Sequence, residues 1–439
     1  MVSADSHSSS GDLLPDKHDY FTYLKKVFRH RCRQGGFRRI TTAITEDMDS
    51  CQTVFGKAMD TCGFEVKSSE AGKKILRFDP VFSTARAYVT HDMSGWPQPI
   101  ELYYIESFFQ KDEQGHLLDR PEFGVQILGN CDPALDAQVV YLAFRILRDL
   151  GLHEHYSLQI NHIGSIASRE TYLEDLKNFY FDKERSLCSA CVGKNQSGQY
   201  LELLRCREED CAILAQLAPK LENYLTEEDR SRYHLFKEFL DELQIPYVEN
   251  KSVVGTGSYN SNTVFEFWHN NKGSQGMIIH GGSNDQMIAK LGAPSANILG
   301  FSTDIRLLIQ NMNEAGITVP HKDHLQVFVA QLGKNAKKKA LFLLEKLREV
   351  GIQAVGAVGT GSMRDQLDMA SELGAKFTLL MGEIEVREGM IIIRDMSVGS
   401  QESVPYDKVV EIMQERIGKE KMDVMEEEEI SKDLKRKKK

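Results

Sequence analysis

The sequence predicts an α+β protein that ends in a smaller α/β domain, and three observations support this prediction. Two long β-prone runs, residues 100–109 and 118–128, flank the polar segment KDEQGH and indicate a β-hairpin. Residues 169–243 are rich in charged residues and have helical periodicity, which indicates a helical insertion. Beyond residue 320 strand and helix patterns alternate, as they do in α/β domains whose strands are largely parallel.

The segments on either side of the insertion predict helices and strands in a fixed order. Residues 1–14 are rich in serine and are predicted to be a flexible lead. Apolar periodicity and β-prone runs then predict a helix over 20–32, a strand over 37–44, the hairpin, a helix over 132–150 and a strand over 156–163. Glycines directly after both helices, at Gly35 and Gly151, are typical of helix ends. After the insertion, strand patterns resume near residues 247, 263–268 and 277–280.

A domain boundary is predicted near residues 319–321. The pattern beyond it predicts a strand over 325–330, a helix over 336–350, a strand over 353–358, a helix over 363–373, a strand over 377–381 and a final hairpin and helix. The predicted organisation is therefore the lead, a core over 15–318 that contains the insertion, an α/β domain over 322–418 and a charged tail over 419–439. The tail carries blocks of like charge, EEEE and KRKKK, which are typical of solvated segments.

Composition places the chain among folded globular proteins. It has 439 residues, of which 41% are hydrophobic and 27% are charged. The net charge of −10 argues against a protein that coats nucleic acids indiscriminately, although a surface for one specific nucleic acid can be locally basic. The sequence contains neither a membrane-spanning apolar run nor an N-terminal signal pattern, so no membrane association is expected and cytoplasmic residence is predicted.

Four of the eight cysteines form a cluster in the sequence, and the other four are scattered singly and are expected to be reduced. Cys188 and Cys191 have the C-x2-C spacing of a zinc knuckle, and Cys206 and Cys211 follow with a looser C-x4-C spacing. Four thiolates are sufficient for a closed structural zinc site. The pattern leaves two alternatives open, a structural zinc ion and four reduced cysteines in the insertion.

Four segments resemble conserved segments of the histidyl-tRNA synthetase family, at nearly the family's spacing. Residues 76–91, LRFDPVFSTARAYVTH, are similar to LRPEGTxxxxRAxIEH, and residues 97–112, PQPIELYYIESFFQKD, are similar to the motif 2 segment that ends in FRxE. Residues 253–267, VVGTGSYNSNTVFEF, resemble RGLDYYxxTVFEF. Residues 280–301, HGGSNDQMIAKLGAPSANILGF, resemble GGRYDxLxxxLGGxxxPAxGF.

The resemblance covers about residues 12–418 and implies both a fold and an activity. It implies a class II synthetase core with an antiparallel catalytic sheet and a helical insertion, followed by an anticodon-binding domain, in a homodimer. The family's activity is histidine-tRNA ligation, in which ATP and Mg²⁺ activate histidine before its transfer to tRNA-His. Histidine and tRNA-His are therefore the partners that the resemblance implies.

Several positions that carry arginine in the family carry neutral residues in this chain. Gln110 stands where motif 2 has the arginine after phenylalanine, and Gly255 stands at the arginine of RGLDYY. In motif 3 the arginine position falls on either Leu307 or Arg306, depending on a one-residue shift in register. Activation brings a carboxylate against the α-phosphate of ATP, and fixed guanidinium groups stabilise that charge. Removal of one such arginine from a phosphoryl-transfer site can cost about 10³–10⁵ in rate.

Other residues of the family's substrate pockets are retained or keep their charge. Asp79 replaces the glutamate of RPEG, and Asp112 replaces the glutamate that follows the motif 2 arginine. Tyr259, Glu266 and Asp285 match the family directly. These residues either form an intact substrate pocket or persist because they support the fold, since buried polar groups are retained wherever their partners would otherwise lose hydrogen bonds.

Two hypotheses follow from these observations. The first is a catalytically degenerate histidyl-tRNA synthetase paralogue, a pseudoenzyme that keeps the fold and a tRNA-binding or regulatory function. The second is an active histidine-tRNA ligase whose phosphate contacts come from other arginines, such as Arg77, Arg86 or Arg306.

Overall fold

The computed structural model divides the chain into two compact units, Met1–Val319 and Pro320–Lys439, and each has its own hydrophobic core. The structure describes residues 13–56, 59, 63–67, 72–112, 115–129, 132–204, 206, 208–255, 259–270, 276–319, 325–356 and 361–418. The predicted lead, up to residue 12, and the predicted tail, from residue 419, lie outside these ranges.

A large mixed sheet is the centre of the first unit. The strands among its described residues are β1 (Arg38–Arg39), β2 (Thr45–Asp47), β3 (Glu65–Val66), β4 (Lys74–Leu76), β5 (Ile100–Lys111), β6 (Leu117–Gly129), β7 (Tyr156–His162), β8 (Tyr247–Glu249), β9 (Ser261–His269), β10 (Met277–Asn284) and β11 (Asn297–Asp304). Eight of these described strands form the large sheet in the order β1-β5-β6-β11-β10-β9-β7-β8, and β2, β4 and β3 form a small second sheet. The β1–β5 and β7–β8 pairs at the two edges are parallel, and the six strands between them pair antiparallel.

The predicted hairpin is present and sets the two faces of the large sheet. β5 and β6 pair without interruption from Ile100, opposite Leu128, to Lys111, opposite Leu117. Because side chains alternate along a strand, the odd-numbered residues of β6 face one side and the even-numbered residues face the other. Phe123 and its odd-numbered neighbours are buried in the main core. The even-numbered side, which includes Glu122, is here called the polar face.

Helices cover the apolar face of the sheet. The helices among the described residues of the first unit are α1 (Pro15–Gln34), α2 (Met48–Phe55), α3 (Pro80–Thr90), α4 (Pro133–Asp149), α5 (Ile166–Tyr180), α6 (Ser189–Gln196), α7 (Tyr200–Leu203), α8 (Glu209–Leu217), α9 (Glu227–Glu242), α10 (Met287–Lys290) and α11 (Ile305–Glu314). Side chains of α1, α4 and α11, including Phe28, Val139 and Leu308, share the main core with Phe123. Burial of this apolar surface stabilises the unit by about 25 cal/mol per Å².

The second unit has a five-stranded sheet of its own. Its described elements are β12 (Val327–Gln331), α12 (Lys334–Glu349), β13 (Ala354–Gly356), α13 (Met363–Glu372), β14 (Phe377–Met381), α14 (Glu383–Glu388), β15 (Met390–Asp395), β16 (Gln401–Pro405) and α15 (Val409–Ile417). The strand order is β13-β12-β14-β15-β16, with β12 parallel to both of its neighbours and an antiparallel hairpin at the other edge. The α+β class and the C-terminal α/β unit are therefore confirmed.

One element differs from its prediction. The strand predicted over residues 37–44 is reduced to Arg38–Arg39, which pair with β5. The amide of Ile40 still donates to the carbonyl of Tyr103, and the chain then leaves the large sheet to enter the small one at β2. Apolar composition cannot indicate which of two sheets a segment joins.

None of the described helices combines the length and the apolar character that a membrane span requires.

Candidate functional site

A hydrogen bond between Asp79 and Tyr259 joins two of the predicted site residues. Asp79 is the N-cap of α3, and one of its carboxylate oxygens accepts a hydrogen bond from the amide of Phe82 at 2.7 Å. The other oxygen accepts a hydrogen bond from the hydroxyl of Tyr259 at 2.5 Å. Desolvation raises the pKa of Asp79, although both hydrogen bonds oppose this shift. Asp79 therefore supports the start of α3 in addition to facing the site.

Tyr104 and Gln126 lie across the polar face because glycines on β6 and β11 leave room for them. A Cβ atom added at Gly124 would lie 2.3 Å from the hydroxyl of Tyr104, and one added at Gly300 would lie 2.5 Å from Oε1 of Gln126. Burial raises the pKa of Tyr104, and the nearby carboxylates of Glu122 and Asp79 add to the shift. Tyr104, Glu122 and Asp79 thus belong to one electrostatic cluster.

Gln110 belongs to a polar network that contains one arginine. Its side-chain amide donates to the carbonyl of Phe78 at 2.9 Å, and its oxygen accepts from Nη1 of Arg120 at 3.1 Å. Nε of Arg120 lies 3.4 Å from Glu122 and 3.8 Å from Asp304, which are opposite each other on β6 and β11. The guanidinium of Arg120 therefore lies beside Gln110 and is held between two carboxylates.

Burial shifts the pKa of Glu122 in this network. Its side chain is buried, since the residue is only 3% exposed. Desolvation raises its pKa from 4.5 to about 7, and the charges of Asp304 and Asp79 add to the effect while Arg120 opposes it. Near neutral pH the Glu122 carboxyl is therefore divided between its protonated and ionised forms.

The raised pKa of Glu122 predicts a pH dependence of stability. The folded state holds this proton more tightly than the unfolded state, so the free energy of unfolding should fall as pH rises from about 4.5 through 7. The expected loss is on the order of 3 kcal/mol. Glu122→Gln keeps the shape but cannot ionise, so this part of the pH dependence should disappear. Urea unfolding at pH 5 and pH 8, followed by tryptophan fluorescence, measures the difference.

Tryptophan fluorescence suits this measurement because both tryptophans, Trp96 and Trp268, belong to the first unit. Glu174→Gln is a matched control, because it removes the same charge from an exposed position on α5. The control should keep the pH dependence of the unsubstituted chain. An equal pH dependence in Glu122→Gln would mean that Glu122 does not titrate in this range.

Arg306 and Leu307, the two candidates for the motif 3 arginine, point to different surroundings. Leu307 packs against the main core. The guanidinium of Arg306 donates to the backbone carbonyl and to Oδ2 of Asp119, the latter at 3.0 Å. Asp119 is odd-numbered on β6, so its side chain projects from the face opposite to Glu122. The structure thus pairs Arg306 with Asp119 and does not bring its guanidinium into the Gln110 network.

Gly255 occupies a backbone conformation that favours glycine. Its φ angle is +79°, and an added Cβ atom would lie 2.6 Å from Oδ1 of Asn260. Any larger residue at this position would be strained and would have to displace Asn260. The local backbone at position 255 therefore does not accommodate the arginine that the family has there.

Two of the retained acidic residues, Asp112 and Glu266, make hydrogen bonds to neighbours other than Asp79 and Tyr259. Asp112 follows β5 at the hairpin tip, where its carboxylate accepts a hydrogen bond from the backbone amide of His116 at 2.7 Å and lies 3.2 Å from the imidazole of that residue. Glu266 is buried on β9 and accepts a hydrogen bond from Nε1 of Trp268 at 2.7 Å. The described contacts of Asp112 stabilise the hairpin tip.

Asp285 lies close to a buried arginine that the sequence did not indicate as a site residue. Its carboxylate accepts a long hydrogen bond, 3.4 Å, from the amide of Asn262. Arg169, in the first turn of α5, is 6% exposed, and its charge interacts with that of Asp285. Burial lowers the pKa of Arg169 to about 10, which leaves it charged at neutral pH, while Asp285 opposes the shift.

Arg77 and Arg86, suggested above as alternative phosphate ligands, are engaged with protein groups. Arg77 is buried, donates to the carbonyls of Ser107 and Thr42, and forms an ion pair with Glu106 at 3.0 Å. Arg86 pairs with the buried carboxylate of Glu46 at 2.7 Å. Both arginines therefore have structural partners.

The insertion contains a candidate metal centre. The sulfur atoms of Cys188, Cys191, Cys206 and Cys211 all lie within 4.8 Å of one another. The structure thus brings together all four cysteines of the sequence cluster, in the small core of the insertion.

Sequence reasoning missed Arg120, Glu122 and Tyr104, which dominate the charge and polarity of the site. Their signal was strand alternation, because Glu122, Gly124 and Gln126 alternate with the apolar Phe123, Val125 and Ile127, as in a half-buried strand. Alternation indicates that these residues share a face. It does not indicate that Arg120 meets Gln110, since that contact depends on the pairing register.

The sequence matches two family models. The model described as histidyl-tRNA synthetase matches residues 10–308, and the model described as anticodon binding domain matches residues 326–416. A histidine-tRNA ligase of Dehalococcoides mccartyi is 31% identical over 404 residues, which is 91% of this chain and 96% of that protein. One of Caldicellulosiruptor bescii is 28% identical and covers 93% of this chain and 98% of its own length.

A similar structure has been solved for a relative. The crystal structure of apo histidyl-tRNA synthetase from Staphylococcus aureus superimposes with a TM-score of 0.75 at 27% identity, and the match covers 92% of this chain and 98% of that one. The similarity therefore extends over both units and is not limited to a shared motif.

Proposed function

Since the chain belongs to the histidyl-tRNA synthetase family, we propose that it is a catalytically degenerate member that binds tRNA-His without efficiently activating histidine. The observation that carries this proposal is that two candidate phosphate-binding arginines are already paired with carboxylates. Arg120 lies between Glu122 and Asp304, and Arg306 is paired with Asp119. Their charge is already balanced by carboxylates.

This arrangement opposes the binding of a second set of anions. A guanidinium stabilises a phosphate most effectively through bidentate hydrogen bonds. Nε of Arg120 already faces Glu122 and Asp304 and its Nη1 donates to Gln110, so a phosphate bound through these two nitrogens would compete with those residues. Ligand phosphates would also meet the carboxyl groups of Asp79 and Glu122, which repel a phosphate whenever they are ionised. In a site of low dielectric, like charges at short range are costly. The expected result is weak binding of ATP.

The site also fits Mg²⁺ poorly. Magnesium prefers carboxylate and water oxygens in octahedral geometry. Glu122 and Asp304, the neighbouring carboxylates that could receive it, both lie close to Nε of Arg120. A divalent cation there would have to displace the guanidinium, so these residues do not form a magnesium site while Arg120 keeps its contacts.

Binding of tRNA is supported by the second unit. The anticodon-binding model matches residues 326–416. The N-terminal half of α12 carries Lys334, Lys337 and Lys338 on its exposed surface, and neighbouring lysines can neutralise phosphates. We extend the proposal to a cytoplasmic homodimer, as the resemblance to the family implies, in which the synthetase core serves as a scaffold or regulatory element.

An active histidine-tRNA ligase is the second candidate, and two contacts favour it. Arg120 places a guanidinium within 3.1 Å of Gln110, next to the position of the missing motif 2 arginine. Arg169 places a second buried cation near Asp285. The named ligases also match over nearly their full length. In this case ATP, Mg²⁺ and histidine would be the ligands, and Arg120 would have to leave Glu122 and Asp304 on binding.

Histidine-dependent ATP–pyrophosphate exchange distinguishes the two candidates. With the Dehalococcoides mccartyi ligase as the positive control, the chain is expected to be at least about 10³-fold slower, as for the loss of one phosphate-binding arginine. A rate within about tenfold of the control would overturn the degenerate assignment. Arg120→Ala should then abolish exchange, and Arg306→Ala, the matched control, should affect it less.

Sedimentation velocity tests the binding part of the proposal and reports the mass of the free protein in the same experiment. We expect the mass of a dimer, and a complex with tRNA-His that weakens as salt is raised, because released counterions drive the association. The double variant Lys337→Glu/Lys338→Glu should weaken binding, whereas Lys177→Glu on α5 should not. Absence of any tRNA complex at low salt would refute this part of the proposal.

A further inference from the structure

Four cysteine thiols converge in the helical insertion, and none of them enters the proposed function. Cys188 is the N-cap of α6, and Cys191 lies in the first turn of that helix. Cys206 precedes α8, and Cys211 lies within it. Two separate chain segments therefore supply two thiols each, and all four sulfur atoms lie within 4.8 Å of one another.

The distances between the sulfur atoms match a shared ligand better than a covalent bond. The sulfurs of Cys188 and Cys206 are 3.8 Å apart, whereas a disulfide bond is about 2.05 Å long, and all four cysteines are free. Four sulfurs at about 2.3 Å from a central metal form a tetrahedron with edges of about 3.8 Å. The largest separation would have to shorten by roughly 1 Å on binding, which a change of side-chain torsions can supply.

We infer that Cys188, Cys191, Cys206 and Cys211 bind one zinc ion with tetrahedral geometry. Thiolates exclude calcium and magnesium, which prefer oxygen ligands. A four-iron cluster needs cysteine sulfurs spread around a much larger core than this group of thiols surrounds. The backbone amide of Cys188 donates to the sulfur of Cys211 at 3.2 Å, and such N–H groups around a thiolate site stabilise its negative charge.

The ion would hold the insertion together and would not take part in catalysis. Four protein ligands close the coordination sphere and leave no position for a substrate or water. The helices that carry or flank the cysteines, α6, α7 and α8, have only 8, 4 and 9 residues, and helices this short are not stable by themselves. Their shared core is small, so a metal would supply the cross-link that apolar burial does not.

Metal analysis of the full-length chain tests this inference. The protein is purified without a metal-affinity tag and analysed by inductively coupled plasma mass spectrometry. It should contain about one zinc ion per chain. The double variant Cys188→Ser/Cys211→Ser removes one ligand from each segment. Its zinc content should be at least about tenfold lower than that of the unsubstituted chain. Cys32→Ser replaces a buried cysteine of the main core and should keep the ion, so it controls for the substitution itself.

A second measurement keeps the inference testable if the double variant fails to fold. The unsubstituted chain, treated with chelator and reconstituted with Co²⁺, should show the intense visible absorption of tetrahedral cobalt thiolate. Chelator treatment should also expose the insertion to proteolysis and leave the second unit intact. Protein that contains no zinc, gives no such cobalt spectrum and titrates as free thiols would overturn the inference, as would iron in place of zinc. None of these measurements depends on pyrophosphate exchange or tRNA binding.

Discussion

Asp136→Ala is expected to lower the free energy of unfolding of the first unit by about 3–5 kcal/mol. Asp136 lies on α4, is completely buried, and accepts hydrogen bonds from Nη2 of Arg232 on α9 and from the hydroxyl of Thr263 on β9, both at 2.7 Å. Removal of the carboxylate would break its ion pair with Arg232, whose guanidinium is largely shielded from water. Three elements, including the last helix of the insertion, would lose their common polar contact.

Urea unfolding followed by tryptophan fluorescence measures this loss in the first unit. Asp182→Ala is the matched control, because the Asp182 side chain is 78% exposed and its ion pair with Lys183 should contribute less than about 1 kcal/mol. A similar small effect for both variants would show that the Asp136–Arg232 contact is not a buried, stabilising interaction.

Phe28→Ala is expected to destabilise the first unit by about 3–5 kcal/mol. Phe28 projects from α1, is completely buried, and packs against Phe123 with a ring-centroid distance of 3.5 Å. Its ring also makes edge contacts with Tyr103 and Phe301, so it touches β5, β6 and β11 together. Truncation would remove apolar burial and leave a cavity between α1 and three strands of the large sheet.

Phe181 provides the control for this substitution, because this residue directly follows α5 and is 82% exposed. Phe181→Ala should change the free energy of unfolding by less than about 0.5 kcal/mol. The comparison isolates burial, since the same atoms are removed in both variants. If Phe28→Ala and Phe181→Ala unfolded at the same urea concentration, α1 would not be docked on the sheet as described.

These two variants test the scaffold, which the proposed function separates from the chemistry. A fold is held by its core and its buried polar contacts, whereas an activity depends on a few side chains placed on it. Phe28 and Asp136 are on or behind the apolar side of the sheet, and Gln110 and Arg120 are on the polar face. Under the proposed function, the neutral residues at positions 110 and 255 would prevent activation of histidine without disturbing the fold.

The motif 3 position shows what a sequence alignment leaves open. Arg306 and Leu307 are equivalent candidates in the sequence, because a one-residue shift in alignment exchanges them. The structure distinguishes them by their surroundings. Leu307 packs against the apolar main core, whereas Arg306 forms an ion pair with Asp119. A helix turns by about 100° per residue, so neighbouring residues at the start of α11 face different directions.

The α+β class, the family, the hairpin and the cysteine cluster can be predicted from the sequence, because each depends on local periodicity or on residue types at short spacing. Which charged side chains meet depends on the packed structure. Arg120 lies beside Gln110, Glu122 and Asp304. Asp79 accepts a hydrogen bond from Tyr259, which is 180 residues away in the sequence. Such contacts depend on strand register and on the order of strands in the sheet, and these arise from the packing of the whole unit.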